Sequence, residues 1–310
     1  MKTFPYTYEN KHYHTYNYFL RTRYHGKVAK VALNADFTCP NRDGTKGLGG
    51  CLFCSAQGAG EFAGDVNETL LKQFESESLR MREKWPNALF IAYFQAFTNT
   101  YAPLSVLKER FEPFVHRQDV VGIAIATRPD CINEEIAEYL GTLNQSTDIY
   151  VELGLQTIHD ATAQAMNRGY RYEVFIEALQ TLRKHGIDVI VHIINGLPGE
   201  DKDMMMETAK ALGKLDIQGL KIHNLYITYD SQLYQQYLKE PFPLLSRDEY
   251  IALVAHQLEW IDKEIVIERL TGDAKKEELY EPKWSRIKRT ILNDIDKYMK
   301  AMDLYQGDMI

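Results

Sequence analysis

Short, almost continuously apolar runs alternate with helical patterns along most of this chain, and this alternation constrains the fold more than any other feature. Six runs are predicted to form strands, and they occupy residues 28–33, 88–94, 120–126, 149–155, 187–194 and 219–227. Strands that are apolar on both faces are typical of a parallel sheet whose outer face is covered by helices. The repeated strand–helix unit therefore predicts an α/β fold, a partial or full (β/α) barrel.

Helical patterns follow the apolar runs. They are predicted over residues 67–84, from 103, from 133, over 172–185 and over 203–212. Asn67 is predicted to cap the first of these helices, because its side chain can accept a hydrogen bond from the first turn. After residue 240 the pattern changes to helices alone. We therefore predict an N-terminal extension over residues 1–25, the barrel over 26–240, and a helical C-terminal extension over 241–310 that packs on the barrel.

Three of the four cysteines lie in the segment CPNRDGTKGLGGCLFC, which begins at Cys39, ends at Cys54 and contains Cys51. This cysteine segment follows the first predicted strand, and functional loops of (β/α) barrels lie at the C-terminal ends of strands. A structural zinc site normally has four ligands, and His25 is the nearest histidine that would complete the set. Iron–sulfur cubanes also usually have four cysteine ligands, so three would leave one iron open to another ligand. The spacing alone is compatible with either metal.

Cysteine count and charge limit the classes of protein to which this chain can belong. One cysteine, Cys131, lies outside the segment, so a disulfide framework is not expected and a reducing cytoplasm is the predicted location. The net charge of −7 argues against a global basic field that would bind nucleic acid indiscriminately. No apolar run approaches the roughly 20 residues of a membrane span, so no membrane contact is predicted.

Four further motifs occur in the order and spacing of a known family. They are ATRPDC at residues 126–131, VELGLQT at 151–157, MNRGY at 166–170 and VHIINGLPGE at 191–200. Together with the cysteine segment, they resemble the radical S-adenosylmethionine (SAM) superfamily, and specifically the radical SAM domain of the Elongator catalytic subunit. The tail, with ERLTGDA and EPKW, is similar to a compact bacterial branch of that group.

The resemblance implies a [4Fe–4S] cluster held by Cys39, Cys51 and Cys54, with SAM bound to the fourth iron through its amino and carboxylate groups. One electron from the reduced cluster would cleave SAM to methionine and a 5′-deoxyadenosyl radical, which abstracts hydrogen from the substrate. An electron donor such as flavodoxin or ferredoxin is then expected as a partner. Backbone N–H groups of the glycine-rich stretches 47–50 and 58–60 are expected to donate to the cluster sulfurs.

The resemblance also implies a set of residues that contact SAM. The set is Gln95, Thr98, Asn99, Gln156, Arg168, His192 and Asn195. Arg168 is the expected partner of the SAM carboxylate, because guanidinium pairs with carboxylate through two hydrogen bonds; the alternative is an arginine on a helix surface. His192 is expected near the ribose, or else is a hydrogen-bonded core histidine. Asn195 and Gly196 lie where the adenine is expected.

The segment after the second strand departs from the family pattern. Relatives often carry Gly-Gly there, which meets the SAM amino group with the backbone, whereas this chain has QAFTN at residues 95–99. The small side chain of Ala96 still permits close backbone approach. Gln95, Thr98 and Asn99 are included among the predicted SAM contacts on that basis.

Several other polar residues lie near the predicted site. Arg128 and Asp130 end the third strand, and we expect them either to bind substrate or cofactor or to pair with each other. Cys131 is expected to be a buried structural thiol. Lys221 and His223 alternate on the sixth strand, and the spacing alone does not say whether their face is the barrel interior.

The Elongator-like resemblance implies tRNA as the partner and the C5 side chain of a wobble uridine as the substrate. Two basic clusters offer independent support, because basic side chains neutralise phosphates and aromatic side chains stack on unpaired bases. The first cluster comprises Lys2, Lys11, Arg21, Arg23, Lys27 and Lys30, interleaved with six tyrosines. The second comprises Lys283, Arg286, Lys288 and Arg289, together with Trp284. The alternative is that the tyrosines close the bottom of the barrel and the charges form a solvated face.

Features that the chain lacks narrow the expected chemistry. A chain of 310 residues leaves no room for the acetyltransferase domain that accompanies the radical SAM domain of Elongator. No second cysteine triad is present to hold an auxiliary cluster, and a lone Cys131 does not provide the two cysteines of radical methyl transfer. We therefore expect hydrogen abstraction that trims or remodels an existing substituent. The alternatives are a radical SAM enzyme acting on a small metabolite or a protein side chain, and a metal-stabilised binding module without catalysis.

Overall fold

The computed structural model describes residues 4–310, so Lys2 of the first basic cluster lies outside the described residues. The strands are β1 Val28–Leu33, β2 Leu89–Phe94, β3 Val120–Thr127, β4 Asp148–Gln156, β5 Asp188–Asn195, β6 Gly219–Asn224, β7 Ile227–Thr228, β8 Val266–Arg269 and β9 Leu279–Glu281. The helices are α1 Tyr16–Tyr24, α2 Leu70–Lys84, α3 Leu104–Val115, α4 Glu134–Leu143, α5 Asp160–Ala165, α6 Tyr172–Lys184, α7 Lys202–Leu212, α8 Gln232–Lys239, α9 Arg247–Leu258 and α10 Lys288–Ala301. Among the helices that residues 4–310 form, none combines the length and the apolar character that crossing a bilayer requires.

Seven parallel strands form one curled sheet in the order β1-β2-β3-β4-β5-β6-β8. Leu33 at the end of β1 lies beside Phe94 at the end of β2, and the following pairs are similarly aligned. The C-terminal ends of the strands therefore meet at one edge of the sheet, where the cysteine segment begins. This architecture confirms the predicted partial (β/α) barrel, and the helical C-terminal region is present as predicted.

The main hydrophobic core lies between the sheet and the helices on its outer face. Phe74 of α2 and Phe111 and Phe114 of α3 pack around Phe90 and Phe94 of β2, and all five side chains are fully buried. Their ring centroids lie between 4.7 Å and 5.8 Å apart. Burial of each such side chain stabilises the fold by about 1.5–3 kcal/mol, so this cluster anchors the outer helices on the sheet.

Helix α2 begins later than the sequence predicts. The prediction that Asn67 caps this helix is wrong, because the cap is Thr69, whose side chain accepts a hydrogen bond from the backbone N–H of Lys72 at 3.3 Å. Asn67 instead donates its backbone and side-chain N–H groups to Asp65 Oδ1 at 3.0 Å and 2.9 Å. Asparagine and threonine both cap helices well, so the neighbouring aspartate decided which of them does so here.

The region after residue 240 contributes two strands, β8 and β9, that the sequence analysis did not predict, since it expected helices alone. Strand β8 pairs in parallel with β6 and is the seventh strand of the sheet. Along its other edge, the backbone N–H of Ile267 donates to the carbonyl oxygen of His14 at 2.8 Å, and Thr15 forms a parallel bridge with Ile267. The N-terminal and C-terminal segments therefore meet beside β8. The predicted domain boundaries after residues 25 and 240 stay predictions.

Helix α1 and several aromatic side chains close the end of the barrel opposite the cysteine segment. Arg23 Nε donates to Oδ2 of Asp148, the first residue of β4, at 2.7 Å. The hydroxyl of Tyr24 lies 2.6 Å from that of Tyr150, and Leu20 packs in the same apolar cluster. This placement favours the alternative in which the N-terminal tyrosines close the bottom of the barrel.

Candidate active site

The cysteine segment folds into successive tight turns beyond the C-terminal end of β1. The backbone N–H of Arg42 donates to the Cys39 carbonyl at 2.8 Å, and that of Cys54 donates to the Cys51 carbonyl at 3.0 Å. All three cysteines are free thiols, and they line one cavity of about 380 Å³. Strand ends of the barrel form the rest of its wall, so the loop and the barrel interior share one site.

Two later segments hold the cysteine segment in place. The backbone N–H of Leu52 donates to the carbonyl of Met166 at 3.0 Å, and the side-chain amide of Asn167 donates to the carbonyl of Gly50 at 2.8 Å. From the other side, the backbone N–H of Leu233 in α8 donates to the carbonyl of Leu52 at 2.8 Å. The MNRGY motif therefore orients the loop that carries the thiols.

Glycines that follow the cysteine segment bring the chain against the segment that follows β2. Gly58 has a φ of +60°, and a Cβ at this position would lie 2.5 Å from the ring of Phe97. A Cβ at Gly60 would lie 2.6 Å from the Cβ of Ala96. The backbone N–H of Phe97 also donates to the Gly58 carbonyl at 2.9 Å. Small side chains on both segments thus form one compact wall of the cavity.

The electrostatics of the cavity suit thiolate ligands that bind a cation. Burial raises the pKa of the Cys51 thiol to about 12, and Arg128 opposes this rise. Burial also raises the pKa of Cys54, and Arg42 opposes it. Without a metal these buried thiols stay protonated at neutral pH, whereas coordination to iron displaces the protons. The two guanidinium groups then lie beside negative charge and stabilise it.

The residues present fit an iron–sulfur cluster with three protein ligands. Cys39, Cys51 and Cys54 face the same cavity, and the side-chain amide of Asn41 donates to Cys51 Sγ at 3.7 Å. His25, the alternative fourth ligand, is the C-cap of α1 at the opposite end of the barrel. Within residues 4–310, no three His, Cys, Asp or Glu side chains are grouped as ligands of a single metal ion. Soft thiolates spread around a cavity suit a cluster of several iron atoms.

Four of the seven predicted SAM contacts line this cavity. They are Gln95, Thr98, Gln156 and His192. Gln156 lies at a break in the β4–β5 register and has a φ of +68°, which is uncommon for a residue with a side chain and is often found at functional sites. The side-chain amide of Gln95, which follows β2, donates at 2.7 Å to the carbonyl of Ala59, five residues beyond the cysteine segment. Their contact with SAM stays a prediction.

Three predicted SAM contacts lie away from the cavity, because their polar groups are used inside the protein. Arg168 is 1% exposed, and its guanidinium donates to three backbone carbonyls. Asn99 likewise donates to three backbone carbonyls. Asn195 exchanges hydrogen bonds of 2.8 Å and 3.0 Å with Gln257. A buried polar side chain must find such partners, and the sequence does not show which ones are available.

Arg128 lines the cavity, whereas Arg168 does not. Its Nε and Nη2 each donate to a carboxylate oxygen of Asp130 at 2.9 Å, and its guanidinium lies 4.8 Å from the ring centre of Tyr170. Burial alone would raise the pKa of Asp130, but Arg128 and Lys46 hold it below its usual value. The pair therefore stays ionised, and Arg128 both binds Asp130 and lines the cavity.

A buried ionic network forms the floor of the cavity around Glu152, whose side chain is fully buried. The four side chains that donate to its carboxylate are Lys30 at 2.7 Å, Tyr93 at 2.7 Å, His192 at 2.9 Å and Lys221. Lys30 of β1 also donates to Glu268 of β8 at 2.7 Å. The network thereby joins the two edge strands of the open sheet through the barrel interior.

The pKa values of Glu152, Lys221 and His223 are all lowered, which favours the charged form of the carboxyl group and the neutral form of the two bases. Burial opposes ionisation of Glu152, but Lys221 and Lys30 hold its pKa well below the usual value. Burial lowers the pKa of Lys221 to about 8, although Glu152 opposes the shift. Burial, with Arg269 beside it, lowers the pKa of His223 far enough that the imidazole is neutral. Lys221 and His223 both line the cavity, so the interior face of β6 is the one that carries them.

The sequence analysis did not single out several residues that line the cavity. They include Arg42, Tyr93, Glu152, Tyr170, Arg269 and Asp273. A signal existed for Glu152, because a carboxylate within an apolar strand must have a buried partner. Arg269 ends β8 and Asp273 follows it; both belong to the ERLTGDA motif, which indicated the family resemblance but not a place in the site, because the apolar pattern did not reveal this strand. Cys131 is half-buried and is not among the lining residues.

The fold and this site define a radical SAM enzyme. The family model of the radical SAM superfamily matches residues 39–212, and the model of the radical SAM C-terminal domain matches residues 217–301. The chain therefore belongs to the radical SAM superfamily. Members of this family use a [4Fe–4S] cluster and SAM, and the cavity with Cys39, Cys51 and Cys54 fits the cluster.

This chain is similar in sequence or in structure to three known proteins, among others. YtqA of Bacillus subtilis (strain 168), an uncharacterized protein, is 51% identical over 304 residues, which cover 98% of this chain and 94% of YtqA. A tRNA uridine(34) acetyltransferase of Methanocaldococcus jannaschii is 27% identical over 158 residues, which cover 49% of this chain and 28% of that protein. The structure of Methanocaldococcus infernus Elp3 is similar with a TM-score of 0.69 at 18% identity, over 91% of this chain and 64% of Elp3. At this identity, the structural similarity shows the fold alone.

Proposed function

We propose that this chain is a tRNA-modifying radical SAM enzyme that acts on the C5 side chain of a wobble uridine. The observation that carries the proposal is the similarity over 158 residues to a tRNA uridine(34) acetyltransferase. That similarity covers 28% of the acetyltransferase, so the acetyl-transfer activity of the whole relative is not part of the proposal. The expected reaction trims or remodels a substituent that is already present at C5.

The cavity supports this proposal in its size and its polarity. When bound, the reduced cluster and SAM supply a 5′-deoxyadenosyl radical, which abstracts a hydrogen atom from the substrate. A volume of about 380 Å³ continues into a neighbouring space of about 130 Å³, and both are lined by His192 and His223. Cavities of this size accommodate small organic ligands. Lys221, His223 and Arg269 present polar groups to a substrate beside the cluster site.

A flavodoxin or a ferredoxin is the proposed electron donor, because an iron–sulfur cluster of low potential requires a carrier of comparable potential. The donor would have to approach the cysteine segment closely enough for electron transfer. Part of that segment lies at the surface, where Leu48 is 76% exposed.

The nucleoside content of tRNA tests the proposed substrate. Total tRNA from cells with and without the gene is digested and compared by mass spectrometry. We expect one modified wobble uridine to be replaced by its precursor when the gene is absent, and a plasmid with the wild-type gene to restore it. A Cys51→Ala gene should fail to restore it, whereas Cys131→Ala serves as the matched control and should succeed. An unchanged profile would contradict the tRNA proposal.

A reconstituted reaction tests the chemistry directly. The anaerobically reconstituted protein is mixed with SAM, a reductant and tRNA from the deletion strain. We expect the formation of 5′-deoxyadenosine to rise when this tRNA is added and to stay at the background rate with tRNA from the wild-type strain. Equal rates with both tRNAs would favour a small metabolite or a protein side chain as the substrate.

A further inference from the structure

The two basic clusters of the sequence lie at opposite ends of the barrel. In the first cluster, Lys27 directly precedes β1, and Arg23 binds Asp148 at the first residue of β4. Lys30 lies in the floor network inside the barrel. This cluster is therefore at the closed end, away from the cysteine segment, and several of its charges are used in ion pairs.

The second cluster lies at the mouth of the cavity. Strand β9 pairs with β7, which follows the C-terminal end of β6. Lys288 Nζ lies 3.2 Å from Asp273 Oδ2, and Asp273 lines the cavity together with Arg269. We call residues 279–289 the C-terminal rim. Its exposed basic side chains are Lys283, Arg286 and Arg289.

Positive charge and aromatic rings are interleaved on the C-terminal rim. Between Pro282 and Asn293 there are four basic residues and no acidic one, in a chain whose net charge is −7. Lys283 Nζ lies 5.4 Å from the ring centre of Tyr280 and 6.0 Å from that of Tyr229, and Tyr229 is 49% exposed. Cations of this kind bind phosphates, and an accessible aromatic face stacks on an unpaired base.

We propose that the C-terminal rim, with Tyr229, binds the RNA strand that flanks the target nucleotide, an inference that rests on the proposed function. A nucleotide can reach the cluster site only if its base leaves the stack and enters the cavity. The neighbouring phosphates then stay at the mouth, where Lys283, Arg286 and Arg289 meet them. Tyr229 offers its exposed ring to a neighbouring base.

A basic surface beside a cluster also suits an acidic electron-transfer protein, and the rim's position and composition favour RNA instead. The rim adjoins Asp273 and Arg269 on the wall of the cavity through which a substrate must pass. The stacked Lys283, Tyr280 and Tyr229 side chains would add little to a contact between charged protein surfaces, whereas they match a base and its phosphate. Docking of the reductant is therefore a separate outcome of the test.

A charge-matched pair of double variants tests the rim. Lys283→Ala with Arg289→Ala removes two charges from the rim, and Arg21→Ala with Lys84→Ala removes two exposed charges from the closed end. The reconstituted full-length proteins are titrated into a fluorescent anticodon stem-loop of the tRNA at several salt concentrations, and fluorescence anisotropy gives Kd. Iron content and thermal unfolding confirm that each variant is folded and loaded.

We expect the Kd of the rim variant for the stem-loop to be roughly tenfold to thirtyfold higher than that of the wild type. The slope of log Kd against the logarithm of the salt concentration should fall by about two. The closed-end variant should stay within about twofold of the wild type, because its charges lie far from the RNA. Tyr229→Ala should weaken binding without changing the salt dependence, since stacking carries no charge. Equal losses in the two double variants, or no loss in the rim variant, would overturn the proposal.

The outcomes separate this proposal from the proposed function. Binding by the wild type that is insensitive to the rim variant, with an altered tRNA profile in the deletion strain, would reject the rim and keep the function. Absence of RNA binding together with an unchanged profile would reject both. Intact RNA binding with slower reduction of the cluster by flavodoxin would assign the rim to the electron donor and overturn the proposal.

Discussion

The two ends of the barrel are built from different kinds of residues, although the same strands run between them. At the closed end, Tyr24 and Tyr150 share a hydrogen bond above an apolar cluster, and the Arg23–Asp148 pair lies at the surface. At the open end, thiols, arginines and glycines with positive φ surround a cavity. Apolar packing and hydrogen-bonded tyrosines therefore close one end, and groups that can bind cofactor and substrate are concentrated at the other.

The buried ionic network lies between these two ends. Glu152 carries full charge inside the barrel because two lysines compensate it. Such a network stabilises little compared with apolar packing, but removal of one partner leaves uncompensated charge. The shape of the cavity at the open end therefore depends on this ionic network, whereas the apolar packing at the closed end does not depend on it. The predictions below test this division of roles.

The largest effect is expected for Cys51→Ala at the open end. Loss of one of the three thiolates should prevent stable binding of the cluster, so formation of 5′-deoxyadenosine should fall below detection. The temperature of unfolding of the cluster-free protein should change little, because Cys51 contributes no disulfide. Iron analysis and chromatography of the products measure both quantities. Cys131→Ala is the control, and a Cys51→Ala protein with full iron content would contradict the cluster assignment.

Glu152→Gln should cause the largest loss of stability. The variant leaves Lys30 and Lys221 with only Glu268 as a carboxylate partner, and removing one partner of a buried ionic group in this way costs about 3–5 kcal/mol in the free energy of unfolding. Urea denaturation measures the change. Glu68→Gln, which breaks the exposed pair with Lys72, is the control and should leave the free energy of unfolding nearly unchanged, because solvent screens the pair. Similar losses in both variants would show that the floor is not a coupled network.

Gly58→Ala should be destabilising by about 2–4 kcal/mol and should also lower the iron content. The new Cβ would combine a strained positive φ with a contact of 2.5 Å to Phe97. Gly186→Ala is the matched control, because Gly186 has a φ of +71° and no atom within 4 Å of the new Cβ. It should cost about 1 kcal/mol and leave the iron content unchanged. Equal effects on iron would mean that the contact with Phe97 does not shape the site.

The pKa of Lys221 predicts a pH dependence of stability. The folded chain releases this proton near pH 8, whereas the unfolded chain holds it up to the ordinary value of 10.5. The free energy of unfolding should therefore rise with pH between these values, and Lys221→Met should lose this rise. Nuclear magnetic resonance of ¹³C-labelled lysine in the cluster-free protein gives the midpoint directly. A midpoint above pH 10 for the resonance that Lys221→Met removes would refute the prediction.

The smallest effect is expected at the closed end. Arg23→Ala removes the ion pair with Asp148, but the arginine side chain is 47% exposed, so the cost should be about 0.5–1 kcal/mol or less. Formation of 5′-deoxyadenosine should stay at the wild-type rate, because the pair lies far from the cysteine segment. A large loss of this activity in a folded Arg23→Ala protein would break the division between the two ends.

Single motifs predicted some of the residues that line the site but did not predict others. The cysteine spacing identified the three residues that surround the cavity, and Gln95, Thr98, Gln156 and His192 also line it. For Arg168, the motif did not show that the guanidinium donates to backbone carbonyls, and its contact with SAM stays a prediction. Charge complementarity within a folded interior depends on partners that are distant in sequence.

By itself, the sequence determined the alternation of strands and helices, the position of the cysteine segment after β1, and the class of cofactor. The first two features are encoded locally, in the period of apolar residues and the order of the segments. The class of cofactor followed from the resemblance of the cysteine segment and four further motifs to a known family, since the spacing alone is compatible with either metal. The tertiary structure decided that β8 joins the sheet, that Arg128 faces the cavity, and that the second basic cluster lies at its mouth. Each of these depends on contacts between residues far apart in the chain, because burial and charge are compensated only when the segments pack together.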